Sequence, residues 1–189
     1  MSQVDAGAFS AELPLARAAF GYAARLHQGQ RRRSDGEPFV AHLLEVAGLL
    51  RDLGAREELL AAAVLHDALE KAQVSADELS RRFGEGVTAL VLAVTEDATI
   101  AGYAKRKAAL RSQVAVAGDD ALLLFAADKI AKVRELAAAG ARSAPRRLEH
   151  YRLSLELLER RRPQCVLTQR LAAELERLSE RRPALAASR

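Results

Sequence analysis

The chain has no tryptophan, and its aromatic residues number five phenylalanines and three tyrosines. Binding of single-stranded nucleic acid leans on aromatic platforms interleaved with basic residues, and no aromatic stands among the arginines of the C-terminal stretch. Cysteine is nearly absent too. The single Cys165 excludes an internal disulfide and by itself builds no zinc–thiolate site. Long apolar runs are missing: Leu59–Leu65 and Ala121–Ala127, seven residues each, are the longest, against about 20 for a membrane span. The first ten residues carry neither a basic region nor an apolar stretch, so a secretory signal is not expected there. These absences point to a soluble, cytoplasmic protein with no membrane partner.

The net charge of +4 is unevenly placed. From Arg160 to Arg189 there are eight arginines and three glutamates, a net of +5, which leaves −1 for the rest. In that tail arginine alternates with leucine and glutamate, the composition of a solvated helix face, so nucleic acid is not the expected partner. What the chain does have is apolar bulk. Half of its 189 residues are hydrophobic and 29% are charged, enough for one core with a water-compatible surface. The expected organisation is a domain over residues 10–160 and a basic helix and tail over 161–189.

Alanine and leucine dominate, β-branched residues are sparse, and no segment alternates convincingly, so the fold class is all-α. Pro14 suits the first turn of a helix to about Gln28, with Leu15, Ala19, Tyr22 and Leu26 inward. A basic connector follows, with a turn at Asp35-Gly36. Phe39, Leu43, Val46, Leu50 and Leu53 share one face of a second helix, stopped by Gly54. A third helix is expected from about Arg56 to Lys71. Ser75 with Glu78 three residues on forms a capping box for a short helix to Phe83. Val87 to about Glu96 has strand-like residues but no visible partner strand, so it reads as helix. Thr95–Gly102 reads as a loop and Tyr103–Val116 as a helix. Asp119 or Asp120 is expected to cap a helix to about Ala139, and prolines open helices at Pro145–Arg162 and Pro163–Arg182.

The third helix carries the chemistry. After its seven apolar residues come His66 and Asp67, with Glu70 at i+4 and i+3 from them, on neighbouring helical faces. Burying such groups unpaired is costly. They either pair with each other or with an arginine near the surface, or they share a metal ion. His42, in an apolar helix, and Asp128, at the end of LLLFAAD, supply two more ligands of the same kinds. Together they would make an N₂O₂ site.

The order His…His-Asp…Asp resembles that of HD-domain metal phosphohydrolases. The words AARLHQGQRRRSDGEPFVAHLLEVAGLL, LAAAVLHDALE, FGEGVTALVLAVTED and ADKIAKVREL resemble the hydrolase domain of RelA/SpoT proteins and small alarmone hydrolases, over about Pro14 to Leu158. The resemblance implies a compact all-α HD bundle that removes the 3′-pyrophosphate of ppGpp-like nucleotides, guanosine or adenosine alarmones, usually with one Mn²⁺. By position it implies His42, His66, Asp67 and Asp128 as metal ligands and Glu70 as the acid that orients or deprotonates water. Arg32 and Arg33 match a basic pair that meets base and phosphates. Lys105, Arg106 and Lys107 match a cluster suited to outer phosphates. Tyr151 stands nearest the family's aromatic at that point and joins the expected substrate-binding set.

This chain departs from the family pattern in four places. Lys71 stands where the family usually has a second acid, Lys132 where it has asparagine, and Ala98 where small alarmone hydrolases commonly have lysine; the aromatic expected near His150 and Tyr151 is shifted or replaced. Lys71 and Lys132 therefore join the catalytic set as cations beside the metal, favouring anion binding and lowering the basicity of Glu70 and of the attacking water. Two function classes follow: a metal-dependent pyrophosphohydrolase, and a nucleotide-binding HD module with little or no turnover. A third, weaker reading is a basic helical protein that meets nucleic acid through its tail.

Overall fold

In a computed structural model the described residues are 13–32, 34–139 and 145–186, with side chains described through residue 180. They form helices α1 (Pro14–Leu26), α2 (Val40–Arg51), α3 (Glu57–Leu65), α4 (Ala68–Lys71), α5 (Ala76–Phe83), α6 (Glu85–Val94), α7 (Tyr103–Val116), α8 (Asp119–Ala138), α9 (Pro145–Arg161) and α10 (Val166–Ala186). Among the described residues the only β pairing is an isolated bridge between Arg31 and Pro38. The all-α reading therefore holds, including the helical state of the valine-rich α6.

Two helices organise the bundle. In α3 every residue from Leu59 to Leu65 is buried, so it has no solvated face and must be surrounded. It packs on α1, α2, α6 and α8. Helix α8 is longer and buries one broad side, from Ala121 to Leu136, against α2, α3, α6, α7, α9 and α10. The inward leucines of α10, Leu167, Leu171, Leu175 and Leu178, join the same apolar cluster. Arg134 ties α8 to α10 through Glu174 at 2.8 Å.

The helix ends have local causes. Pro14 opens α1, whose start is capped by another helix: Glu57 Oε1 of α3 accepts from Leu15 N at 2.6 Å and Ala16 N at 3.2 Å. Ser75 Oγ accepts from Glu78 N at 3.2 Å, as expected for α5. In the connector Arg32 N donates to Glu37 O at 2.8 Å, and Gly36 adopts φ 76° to close the turn.

Several expectations need correction. The third helix does not run unbroken to Lys71; it ends at Leu65, and His66 and Asp67 form a turn before α4. Neither Asp119 nor Asp120 caps α8. Gly118 holds that position, while Asp119 pairs with Arg162 and Asp120 with Arg56. Pro163 lies in a turn between α9 and α10 rather than in a helix, and Leu53 is exposed beyond the end of α2. Leu15 and Leu26 are half-buried, because the deep face of α1 is Ala16, Ala19, Phe20, Tyr22 and Ala23.

Because α3 is enclosed, truncation inside it leaves a cavity that its neighbours cannot fill. Leu60→Ala is expected to cost about 2–5 kcal/mol. Val116→Ala, at a site 83% exposed, should stay within about 0.5 kcal/mol. Denaturant midpoints of the two variants against the parent check this; equal midpoints would contradict the central place of α3.

Candidate metal centre

The break between α3 and α4 builds the site. Once the helix stops at Leu65, Ala63 O is used by His66 Nδ1 at 2.7 Å. The carbonyl accepts, so Nδ1 carries the proton and Nε2 of a neutral ring keeps its lone pair. That Nε2 faces His42 Nε2 of α2 at 3.2 Å. Around these two nitrogens stand Asp67 Oδ2, at 3.8 Å from His42 and 3.5 Å from His66, and Asp128 Oδ1 of α8, at 3.3 and 3.4 Å. All four residues are at most 4% exposed.

The separations among His42, His66 and Asp128 suit a metal, and Asp67 Oδ2 stands slightly farther out. Bonds of about 2.1 Å to nitrogen and oxygen put adjacent ligands about 3.0–3.4 Å apart in octahedral or tetrahedral sites. Asp128 Oδ1 makes no aligned hydrogen bond, its charge being met by Lys132 Nζ at 2.8 Å. His42, His66 and Asp128 each offer an atom within 4.8 Å of the others. On its far side, His42 Nδ1 lies 2.8 Å from Glu135 Oε1. The pair is close but not aligned as a hydrogen bond, and it sets a carboxylate behind His42. The donor set, two imidazoles and two carboxylates, is that of Mn²⁺, Fe²⁺ or Zn²⁺ sites.

Three ammonium groups lie on the two aspartates. Lys71 Nζ contacts Asp67 Oδ2. Lys129 Nζ is 2.5 Å from Asp128 Oδ2, and Lys132 Nζ is 2.8 Å from Asp128 Oδ1. Burial alone would raise the Asp128 pKa, but Lys129 and Lys132 outweigh it and hold the carboxyl far below its usual range. Asp67 is held low in the same way, burial being overcome by Lys132, His66 and Lys71. Burial disfavours a charged His42, yet Asp128 and Glu135 win and raise its pKa. Lys129, fully enclosed, is pushed down to about 8 by burial against the pull of Asp128.

The remaining expected residues divide. Glu70 is exposed at the site's edge, and its Oε1 accepts from Glu96 N at 2.7 Å. Glu96 in turn holds Arg106 at 2.7 Å and also Lys107. The loop after α6 therefore links Glu70 to the basic turn of α7. Lys105 and Lys107 line a cavity of about 860 Å³ with Tyr103, Arg111, Arg146 and His150. Tyr151 is buried and its pKa is pushed up to about 12, first by burial, with Lys132 opposing. Arg32 is held by Asp35 and lies 3.7 Å from Glu135 Oε1; Arg33 lies outside the described residues. Sequence reasoning missed Glu135 and gave Lys129, seen beside Asp128, no role. Glu135 was findable, since Asp128, Lys132 and Glu135 fall at i, i+4 and i+7 on one face of α8.

The HD domain family model matches residues 19–155. A probable guanosine-3′,5′-bis(diphosphate) 3′-pyrophosphohydrolase of Synechocystis is 49% identical over 78 residues, 41% of this chain and 10% of that protein. The guanosine-3′,5′-bis(diphosphate) 3′-pyrophosphohydrolase of Aquifex aeolicus is 34% identical over 120 residues, 62% of this chain and 17% of that protein. The chain thus spans under a fifth of the length of these curated relatives. A solved metazoan ortholog of SpoT that hydrolyzes ppGpp superposes with a TM-score of 0.73 at 26% identity, over 89% of this chain and 96% of that one. With the histidine–aspartate turn at the centre of an all-helical bundle and a family match over most of the sequence, the chain belongs to the HD-domain family.

Proposed function

We propose that this chain is a metal-dependent phosphohydrolase that removes the 3′-pyrophosphate from ppGpp or a closely related nucleotide, with Mn²⁺ as its ion. One observation carries the reading: the Nε2 atoms of His42 and His66 and Oδ1 of Asp128 lie 3.2–3.4 Å apart in the buried interior, with Asp67 Oδ2 3.5–3.8 Å from the two imidazoles. Its support from relatives is that the Synechocystis and Aquifex proteins bear hydrolase names and the metazoan ortholog hydrolyzes ppGpp.

His42, His66, Asp67 and Asp128 would hold the ion. When bound, a divalent ion polarises a phosphate oxygen and acidifies water. Glu70, exposed and oriented by the Glu96 backbone, takes the proton of the attacking water. The water oxygen joins the phosphorus next to the 3′ oxygen, that P–O bond breaks, and the 3′ oxygen leaves with a proton from solvent. Lys71 and Lys132 offer charge to the phosphates, as do Lys105 and Lys107 at the neighbouring cavity. Arg32, Arg33 and Tyr151 complete the substrate-binding set. A second reading, a nucleotide binder with little turnover, draws on the ammonium groups already covering Asp67 and Asp128.

Incubation with ppGpp and Mn²⁺, with products resolved by chromatography, is expected to give GDP and pyrophosphate. His66→Ala should abolish that conversion. Tight ppGpp binding with no product from the parent would select the binder instead. Arg32→Ala should weaken nucleotide affinity by more than tenfold, about 1.4 kcal/mol, and leave the metal content unchanged. Unchanged affinity by calorimetry would return Arg32 to a structural role in its turn.

A further inference from the structure

The ligand atoms of this centre are unusual in being covered by the protein's own cations. Asp67, Asp128 and Glu135 contribute three negative charges. Lys71, Lys129 and Lys132 contribute three positive ones, and each touches one of the two aspartates. Counted with both imidazoles in the neutral form that binds a metal, and with Arg32 beside Glu135 set against its own partner Asp35, the cluster sums to zero without the ion. A divalent ion then leaves an excess of +2 in a buried place, where charge is poorly screened.

The lysines differ in their freedom to respond. Lys129 is 3% exposed and lies 4.4 Å over the Phe125 ring, so it is locked. The side chains of Lys71 and Lys132 are 36% and 27% exposed. Lys71 is also anchored over the ring of Phe39 at 4.3 Å, which holds its ammonium at the rim. These two can release the aspartates while staying beside the site. Once released, each needs an anion, and a phosphate oxygen approaching the same centre supplies one.

We propose that this chain takes its divalent ion together with a phosphate-class anion and not ahead of it, Lys71 and Lys132 being the residues that couple the two. The inference rests on the ligand set of the proposed function. The anion restores neutrality that the ion disturbs, and the ion frees the ammonium groups that the anion engages. Coupling of this kind is reciprocal and spans about 5- to 150-fold. It gives the lysines an anion-binding role that can be measured without turnover.

The test is calorimetric titration of the parent with Mn²⁺, alone and with saturating inorganic phosphate, each corrected by a protein-free blank. Phosphate is expected to tighten Mn²⁺ binding at least tenfold. In Lys71→Gln with Lys132→Gln the cluster begins at −2. Mn²⁺ alone should then bind at least tenfold tighter than to the parent, and phosphate should change its affinity less than about threefold. Far-ultraviolet dichroism confirms that the variant is folded, and Lys132→Gln alone, expected to fall between, serves if the pair disrupts folding. Tight Mn²⁺ binding to the parent that phosphate does not alter would overturn the coupling, as would equal coupling in parent and variant. Absence of Mn²⁺ binding to both proteins under both conditions would overturn the ligand set itself.

Discussion

Two carboxylates sit in the interior of an α-helical bundle, and the structure is arranged around meeting their charge. Asp67 and Asp128 are 3% and 4% exposed, and an isolated charge at such depth would neutralise or unfold its surroundings. Each is met by ammonium groups on one side and by imidazole nitrogens on the other. Breaking one half of such an arrangement costs more than the pair itself contributes, because the partner charge remains buried. Here the partners also lie together, with His42, His66 and Asp128 each offering an atom within 4.8 Å of the others.

The backbone serves that convergence. An uninterrupted helix would commit Ala63 O to an amide and carry His66 and Asp67 along one cylinder. Ending α3 at Leu65 gives the carbonyl to the His66 ring instead and lets Asp67 lead into α4. The apolar run Leu59–Leu65 is what holds this turn deep: it anchors one end of the site in the core. Helix α8 supplies the opposing wall, with Asp128, Lys132 and Glu135 on one face. Glu135 reaches His42, so α2, the turn after α3 and α8 are fixed by the same cluster.

The fold class and the membership of the buried cluster were legible because both follow from composition and isolation. A histidine or aspartate amid leucine and alanine, as at His42 and Asp128, stands out against an apolar background. The break after Leu65 was not legible. Ala68, Leu69, Glu70 and Lys71 are all good helix formers, and only tertiary contacts of His66 and Asp67 override them. Helix α8 hid its cap for a similar reason: Asp119 and Asp120 look like capping residues, but Arg162 and Arg56 claim their carboxylates. Glu135 was hidden among the ordinary charges of a long helix. The lysines at positions 71 and 132 were visible as departures, yet their contact with the aspartates needed the three-dimensional structure.

The central claim is that these four side chains hold one divalent ion, and the most direct measurement is anomalous scattering from crystals grown with Mn²⁺ and phosphate. One strong peak within about 2.3 Å of His42 Nε2, His66 Nε2, Asp67 and Asp128 is the result the account predicts. A peak elsewhere with Lys71 and Lys132 still seated on the aspartates would contradict it.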